Sequence, residues 1–404
     1  MKILHTSDWH LGHTLYNYDR TAEQQAFLQQ LARIVAEEQP DALVVSGDIY
    51  HYSSPAAATQ RMYTDAMLDI HRACPEMSIV VTAGNHDSSS KLEIDSSLWQ
   101  HFGLNVVGNI ERTAEEVNLD KHIVEVGKKA GRKGYIVAMP HVYPQNFPLL
   151  DTETPREERQ ARFFQTLLDE VEKRNTDRLP VVLMAHLSIE GSDRSGHDES
   201  IGGIEYVPLG TMGTGYDYLA LGHIHCPQDI KGSRHRARYC GTPLPVSFDE
   251  SYPHSVSIVE LERGKEPQTR TVPIENPIPL VTLPREPVPF EEALQLLTEY
   301  PEEQPAYLRL NVLTKGYLPP DCHEKASNAA KGKACKYCYI KTTSERQADA
   351  DSIRHISIRE MQEISPLEIA KLYYRETEGE EMDEELCTLM EMAIQSVKAH
   401  GERK

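Results

Sequence analysis

The stretch ALVVSGDIYH, residues 42–51, is an apolar run, rich in β-branched residues, that stops at a carboxylate. Near-continuous apolar runs of this length are typical of strands that are buried on both faces of a sheet. The Gly-Asp step places a metal-ligating side chain, Asp48, at the point where the run ends. Because chemistry in layered α/β proteins collects where strands end, this stretch predicts a buried strand that leads into a functional site.

The same unit recurs through the first 225 residues. Four further apolar runs end in residues of ligand type: KILHTSDWH at Asp8 and His10, SIVVTAGNHD at Asn85 and His86, PVVLMAH at His186, and YLALGHIH at His223 and His225. Helical patterns lie between several of them, the clearest being residues 21–38, where Thr21 and Gln24 predict a capping box. Alternating strands and helices predict a layered α/β domain.

Composition limits the class of protein. The 404 residues exceed a single ordinary core, and 39% hydrophobic with 26% charged residues is typical of a soluble globular chain. The net charge of −20 opposes long-range attraction of DNA, so any nucleic-acid binding must be local or come from a partner. No apolar run approaches membrane-spanning length, and seven scattered cysteines indicate reduced thiols; we therefore expect a cytoplasmic protein without a membrane anchor.

The sequence predicts three parts. Residues 1–270 form the α/β domain with the candidate ligands, and a proline-rich passage leads into a small α+β module over 278–350. Residues 360–404 form a tail of two amphipathic helices. The apolar positions of the tail are Leu367, Ile369, Ala370, Leu372 and Tyr373, then Leu386, Leu389, Met390, Ala393, Ile394 and Val397. Such a pair needs a surface to bury against, either on a partner or on its own domain.

The candidate ligands predict a two-metal site. Residues i and i+2 of a strand point to the same side, so Asp8 with His10, and His223 with His225, are expected to aim at one spot. Mixed carboxylate, amide and imidazole ligands suit Mn²⁺, Fe²⁺ or Zn²⁺. A lone histidine would more simply be a hydrogen-bonded core or surface residue. Seven ligands exceed the needs of one ion, and two ions could share the carboxylate of Asp48.

In this order, the motifs Asp-x-His, Gly-Asp, Gly-Asn-His-Asp, a strand-end His and Gly-His-x-His resemble the calcineurin-type metallophosphoesterase superfamily. The segments ILHTSDWHLG and RYCGTPLPVSFDE, with the proline-rich exit, resemble more narrowly its SbcD family, related to Mre-type DNA-repair nucleases. The resemblance implies a layered β-sandwich flanked by helices, a small α+β capping domain over 278–350 and a C-terminal helical tail.

The resemblance also implies roles for the site residues. Asp8, His10, Asp48 and His225 would bind one ion, and Asp48, Asn85, His186 and His223 the other, with Mn²⁺ as the usual metal. His86 would protonate the leaving oxygen, and His51 falls where some relatives carry an active-site histidine and others an aspartate. Alternatively, His86 is structural and orients Asn85, with Asp87 available to pair with its imidazole.

The activity implied is two-metal hydrolysis of DNA phosphodiesters in repair, replication and recombination. The family acts as a 3′-to-5′ exonuclease on double strands and as an endonuclease on single strands and hairpins. The implied partner is an SbcC-type coiled-coil ATPase that receives the C-terminal helices, in a heterotetramer containing a homodimer of this protein. Two alternatives are a phosphodiesterase for small molecules or nucleotides, and an architectural subunit that only recruits the ATPase.

Four residues of the capping region depart from the family pattern. Cys335 and Cys338 have metal-ligand spacing, and Cys322 with His323 precedes them. They predict either a structural zinc site or unpaired reduced cysteines.

Overall fold

The computed structural model describes residues 1–112, 117–127, 131–151, 154–196 and 206–344, together with 367, 371, 374, 382–383 and 386–390. The chain divides into two compact units, one of Met1–Val312 and Pro319–Lys341, the other of Leu313–Leu318 and Thr342–Lys404. The predicted helical tail, 360–404, lies almost wholly outside the described residues. Of its apolar positions, Leu367, Leu386, Leu389 and Met390 are described, and the last three are exposed.

The elements of the described residues follow the predicted alternation. The strands are β1 (Lys2–Thr6), β2 (Ala42–Ser46), β3 (Ser78–Thr82), β4 (Leu104–Val107), β5 (Ile123–Val126), β6 (Gly134–Ala138), β7 (Val181–His186), β8 (Ser188–Ile189), β9 (Tyr206–Val207), β10 (Tyr218–Gly222), β11 (Gln228–Asp229), β12 (Ala237–Tyr239), β13 (Ser255–Glu260), β14 (Gln268–Pro273), β15 (Leu280–Val288), β16 (Tyr307–Thr314) and β17 (Lys336–Ser344). The α-helices are α1 (Thr21–Glu38), α2 (Ala57–Ala73), α3 (Ser89–Leu92), α4 (Ser96–Trp99), α5 (Arg159–Arg174), α6 (Phe290–Glu299) and α7 (Cys322–Ala330). None of these helices is long and apolar enough to span a membrane.

Two six-stranded sheets form a sandwich. The first has the strand order β14-β13-β1-β2-β3-β4, and the second has the order β11-β12-β10-β7-β6-β5. Strands β1 to β4 are mutually parallel, as are β6, β7 and β10. Apolar side chains of both sheets form one buried cluster, while α1 and α2 contribute to a second and α5 to a third. The predicted helix-flanked sandwich is confirmed.

Strand β2 shows why the apolar runs are continuous. All five of its residues are buried. Leu43 and Val45 belong to the cluster that includes α1 and α2, whereas Ala42 and Val44 belong to the cluster between the sheets. Because alternate side chains of a strand point to opposite faces, a strand covered on both sides buries every side chain and is mostly apolar. The one polar residue of β2, Ser46, donates its hydroxyl to the carbonyl oxygen of Ala220.

The start of α1 differs from the prediction. Arg20, not Thr21, is the N-cap residue, and its own side chain makes no capping hydrogen bond. The Asp19 side chain instead accepts from the backbone N–H of Thr21 at 2.6 Å. The Gln24 side chain instead accepts from the backbone N–H of Gly12 and donates to the carbonyl oxygens of His10 and His13. The predicted capping box was wrong because Gln24 braces the loop after β1.

Strands β15, β16 and β17 form a separate three-stranded sheet, accompanied by α6 and α7. Arg309, a buried residue of this small sheet, contacts the loop that follows β12 of the sandwich. Its guanidinium donates to Asp249 Oδ1 at 2.7 Å and lies over the Phe248 ring. Tyr307 donates to Glu23 at the start of α1 at 2.7 Å. Most of the predicted capping region therefore belongs to the same compact unit as the sandwich.

Candidate metal centre

The predicted ligands follow the carboxyl ends of strands from both sheets. Parallel pairing brings the ends of β1, β2 and β3 to one edge, and those of β7 and β10 to the corresponding edge of the second sheet. The two edges touch, since Ser46 Oγ donates to Ala220 O at 3.0 Å and His186 Nδ1 lies 2.8 Å from Ser46 O. Loops from distant parts of the chain consequently meet at one place.

Backbone conformation aims several of these side chains. Asp8, His10, Asp48 and His223 have φ values of 53°, 45°, 52° and 98°. Positive φ is unfavourable for residues with a Cβ and costs on the order of 1–3 kcal/mol each. The expected strand alternation was wrong, because β1 ends at Thr6 and β10 at Gly222. Left-handed loop residues, rather than strand periodicity, bring the pairs into the site.

Asp48 lies between the two sets of imidazoles. The backbone N–H of His86 donates to its Oδ1 at 2.9 Å. The other oxygen, Oδ2, lies 3.8 Å from His10 Nε2 and 3.4 Å from His186 Nε2. Burial alone would raise the pKa of Asp48, but His186 and His10 hold that pKa well below its usual value. An ionised oxygen shared by both sides of the site is the arrangement that a bridging ligand requires.

On one side of Asp48, His10 Nε2 and His225 Nε2 lie 3.2 Å apart. Ligand atoms of Asp8, His10 and His225 all lie within 4.8 Å of one another. The Asp8 carboxylate is held by the Ser7 hydroxyl and by the backbone N–H of His223. Two imidazole nitrogens that face each other beside buried carboxylates form a suitable pocket for a cation.

On the other side, two imidazoles converge on one amide oxygen. His186 Nε2 and His223 Nδ1 each lie 3.0 Å from Asn85 Oδ1. Burial lowers the pKa of His186, but the Asp48 carboxylate more than compensates and raises it to about 9. The structure thus brings together all seven predicted ligands, and their carboxylate, amide and imidazole donors fit a divalent cation.

His86 and His51 lie beside the predicted ligands. His86 Nδ1 lies 2.9 Å from the His51 carbonyl oxygen, which makes Nδ1 the donor and leaves the proton acceptor position at Nε2 in the neutral ring. Asp87 does not pair with this imidazole. Its carboxylate accepts from the backbone N–H groups of Ile49, Tyr50 and Gly84, and burial raises its pKa to about 6.

A cleft of about 270 Å³ opens onto the centre, and His13 lines it. The sequence reasoning missed this residue, although it lies only three positions after His10. Its ring centroid is 4.6 Å from that of His51. Burial and the neighbouring His51 lower the pKa of His13 to about 2, so His13 presents a neutral imidazole. The cleft is lined by His10, His13, Asp48, His51, Asn85, His86, Gly196, His223, His225, Val246 and Ser247.

The cysteines of the capping region form no comparable group. In the described parts of the chain, the groups of three or more close metal-ligand atoms all lie at the centre around Asp48. Cys322, Cys335 and Cys338 are unpaired thiols. His323 Nδ1 lies 2.8 Å from the Tyr337 hydroxyl. The contacts favour reduced cysteines over a zinc site.

Comparison with known proteins agrees with this geometry. The calcineurin-like phosphoesterase family matches residues 1–227, and the type 5 capsule protein repressor C-terminal domain matches residues 277–378. The chain is 35% identical to the SbcD subunit of nuclease SbcCD from Rhodobacter capsulatus over 74% of its length and 75% of that protein. It is 29% identical to the SbcD subunit from Bacillus subtilis over 96% of both chains, and 26% identical to that from Escherichia coli K12 over 95% and 94%.

The chain therefore belongs to the calcineurin-like phosphoesterases, a class of metal-dependent hydrolases. Within that class, it belongs to the family of SbcD subunits of nuclease SbcCD.

Proposed function

We propose that this protein is the DNA-cleaving subunit of an SbcCD-type complex and hydrolyses phosphodiesters with two divalent ions, Mn²⁺ in the cell. The observation that carries the proposal is the position of Asp48 Oδ2, within 3.8 Å of His10 and 3.4 Å of His186. One carboxylate oxygen thereby serves both halves of a seven-ligand centre. Asp8, His10, Asp48 and His225 would hold one ion, and Asp48, Asn85, His186 and His223 the other.

The chain's own residues supply the remaining chemistry. When bound, the two ions provide the charge that activates the attacking water and stabilises the transition state. The Nδ1 of His86 donates to the His51 carbonyl oxygen. This hydrogen bond leaves Nε2 as the ring nitrogen that can take part in the reaction. A protonated Nε2 can then give its proton to the leaving 3′-oxygen, a role that suits a histidine near neutral pH. The neutral imidazoles of His13 and His51 line the same cleft and can position the substrate.

The partner, the stoichiometry, the modes of cleavage and the domain bounds are proposed from the resemblance to the SbcD family. The names of the relatives describe one subunit of a nuclease, so we propose a coiled-coil ATPase of the SbcC type as partner, docked on helices of 360–404. We also propose a homodimer within a heterotetramer, cleavage as a 3′-to-5′ exonuclease on double strands and as an endonuclease on hairpins, and action in the cytoplasm in DNA repair. Residues 1–270 would be the nuclease domain and 278–350 the capping domain.

Hydrolysis assays test this proposal. The purified protein with Mn²⁺ should cleave both labelled hairpin DNA and a generic phosphodiester chromogen, with and without the ATPase partner. Cleavage of the chromogen alone would favour a small-molecule phosphodiesterase. No cleavage of either substrate, even with the partner, would favour the architectural role. The Asp48→Asn variant is the negative control for both substrates. The substitution keeps the shape of the side chain but removes the charge that the two ions would share.

A further inference from the structure

A second cavity, larger than the cleft at the metal centre, lies at the opposite ends of the strands. Its lining includes Lys133, Pro180 and Asp217, which directly precede β6, β7 and β10. These three strands are parallel, and the candidate metal ligands follow the carboxyl ends of β7 and β10. Because a strand rises about 3.3 Å per residue, strands of this length separate the cavity from the centre by about 15–20 Å. A ligand in the cavity therefore cannot reach ions at the centre.

The lining of this cavity is positively charged. The cavity has a volume of about 660 Å³. Five of its lining side chains are basic and two are acidic, which gives the lining a formal charge of +3 in a chain whose net charge is −20. A concave surface with one sign of charge attracts ions of the opposite sign. The basic side chains are Arg132, Lys133, Arg178, Arg236 and Arg263, and the acidic ones are Asp217 and Glu262.

The two acidic side chains already have partners. Asp217 is buried, accepts from two backbone N–H groups and lies 3.1 Å from an Arg263 nitrogen. The same guanidinium lies 2.7 Å from Glu172. Glu262 lies 2.7 Å from Lys265, which is not part of the lining. These ion pairs neutralise Arg263 but not the other basic side chains of the cavity.

Three of those basic side chains have no carboxylate partner in the described part of the chain. Arg132 lies 3.5 Å from Glu125. Lys133, Arg178 and Arg236 line the same cavity without such an ion pair among the described residues. Their charges are therefore available to an anion, with which lysine and arginine form charge-assisted hydrogen bonds.

Arg236 shows how one of these charges is held. Its side chain is half-buried, and Nη2 donates to the carbonyl oxygen of Gly264 at 3.2 Å. A carbonyl oxygen is neutral, so this contact orients the guanidinium without cancelling its charge. Nε is buried and has no acceptor among the described residues. A guanidinium with an unpaired donor matches the oxygens of a phosphate group, which arginine binds through paired hydrogen bonds.

The rest of the lining includes an apolar part. Met1, Leu179, Pro180 and Leu261 line the cavity together with Tyr216. Cavities of about 300–1,000 Å³ typically hold organic ligands, and 660 Å³ is far more than a single phosphate ion fills. Aromatic side chains suit a nucleobase, which binds proteins by stacking. The lining therefore fits a ligand with a charged phosphate end and a flat, less polar end.

We propose that this cavity is a binding site for a nucleoside phosphate. Lys133, Arg178 and Arg236 receive the phosphate groups, and the apolar side chains around Tyr216 receive the base. The site is separate from the metal centre, so the inference does not depend on the proposed nuclease function.

Calorimetric titration of the full chain with ADP tests the inference, in EDTA so that no metal ion carries the phosphate. Arg178→Gln removes one charge of the cavity, and Arg61→Gln is the matched control. Both arginines are exposed, but Arg61 lies on α2 and outside the cavity. Inorganic phosphate and adenosine, titrated separately, represent the two ends of the ligand.

The wild type and Arg61→Gln should bind ADP at one site, and both should bind adenosine and inorganic phosphate more weakly. Arg178→Gln should lose about 10- to 100-fold in affinity for ADP, because a charge-assisted hydrogen bond is removed. A wild type that does not bind ADP, or equal affinities of the wild type and Arg178→Gln, would overturn the inference. Inorganic phosphate that binds as tightly as ADP would also overturn it, because the apolar lining would then have no role.

Lys133→Gln covers the case in which Arg178→Gln does not fold. Lys133 is exposed and lines the same cavity, so its loss should also weaken ADP binding. A short DNA duplex that binds with the same dependence on Lys133, in place of ADP, would overturn the inference and indicate a contact with nucleic acid instead.

Discussion

Replacing Gly84 by alanine should displace the shared carboxylate. A Cβ at this position would lie 2.0 Å from Asp48 Oδ1 and 2.3 Å from the Asp48 backbone nitrogen, whereas real Cβ contacts are essentially never below 3.0 Å. The segment with Gly84 or the segment with Asp48 must therefore move by about 1 Å. Because the contact includes the Asp48 backbone nitrogen, rotation of a side chain cannot relieve it. A displacement of this size typically costs about 10²-fold in rate. The overpacking should cost about 1–3 kcal/mol of the free energy of unfolding.

The assay compares Gly84→Ala with Gly210→Ala, whose added Cβ meets no atom within 4 Å. Phosphodiester hydrolysis, Mn²⁺ content and urea unfolding should be measured on both variants. We expect Gly210→Ala to behave as the wild type. If Gly84→Ala kept wild-type hydrolysis and both ions, Asp48 would not be held as tightly as the structure indicates, and its bridging role would be refuted.

Three further predictions concern separate parts of the molecule. His86→Ala should lower hydrolysis by about 10²- to 10⁴-fold because it removes the proton donor, while Mn²⁺ content measured by metal analysis stays unchanged; lost metal would instead indicate a structural role. Because the Asp48 carboxylate outweighs burial and raises the pKa of His186 to about 9, the metal-free protein holds that proton near neutral pH. Mn²⁺ binding should therefore release protons and strengthen as the pH rises towards 9, and calorimetric heats that do not depend on the buffer would contradict this linkage. Arg309→Ala should cost about 1–3 kcal/mol in urea unfolding because it removes buried charge-assisted hydrogen bonds, whereas the exposed Arg61→Ala should change stability by less than about 0.5 kcal/mol.

The seven residues that meet at the candidate metal centre could be picked out from the sequence alone. Each follows an apolar run, and both the run and the ligand type are local features of the chain, as in ALVVSGD before Asp48. The layered α/β class was predictable for the same reason, because strands covered on both faces are predominantly apolar, whatever their partners are. The two-sheet sandwich was expected only from the resemblance to the calcineurin-type family.

The directions in which those side chains point were decided only by the tertiary structure. Asp8 and His223 reach the site through positive φ angles, which the loop sequence did not reveal, and Gln24 braces the loop after β1 instead of capping its own helix. The pairing of His225 with Glu250 joins residues 25 positions apart. Such contacts depend on how distant loops meet after the sheets have packed, and no local pattern of polarity or spacing specifies that meeting.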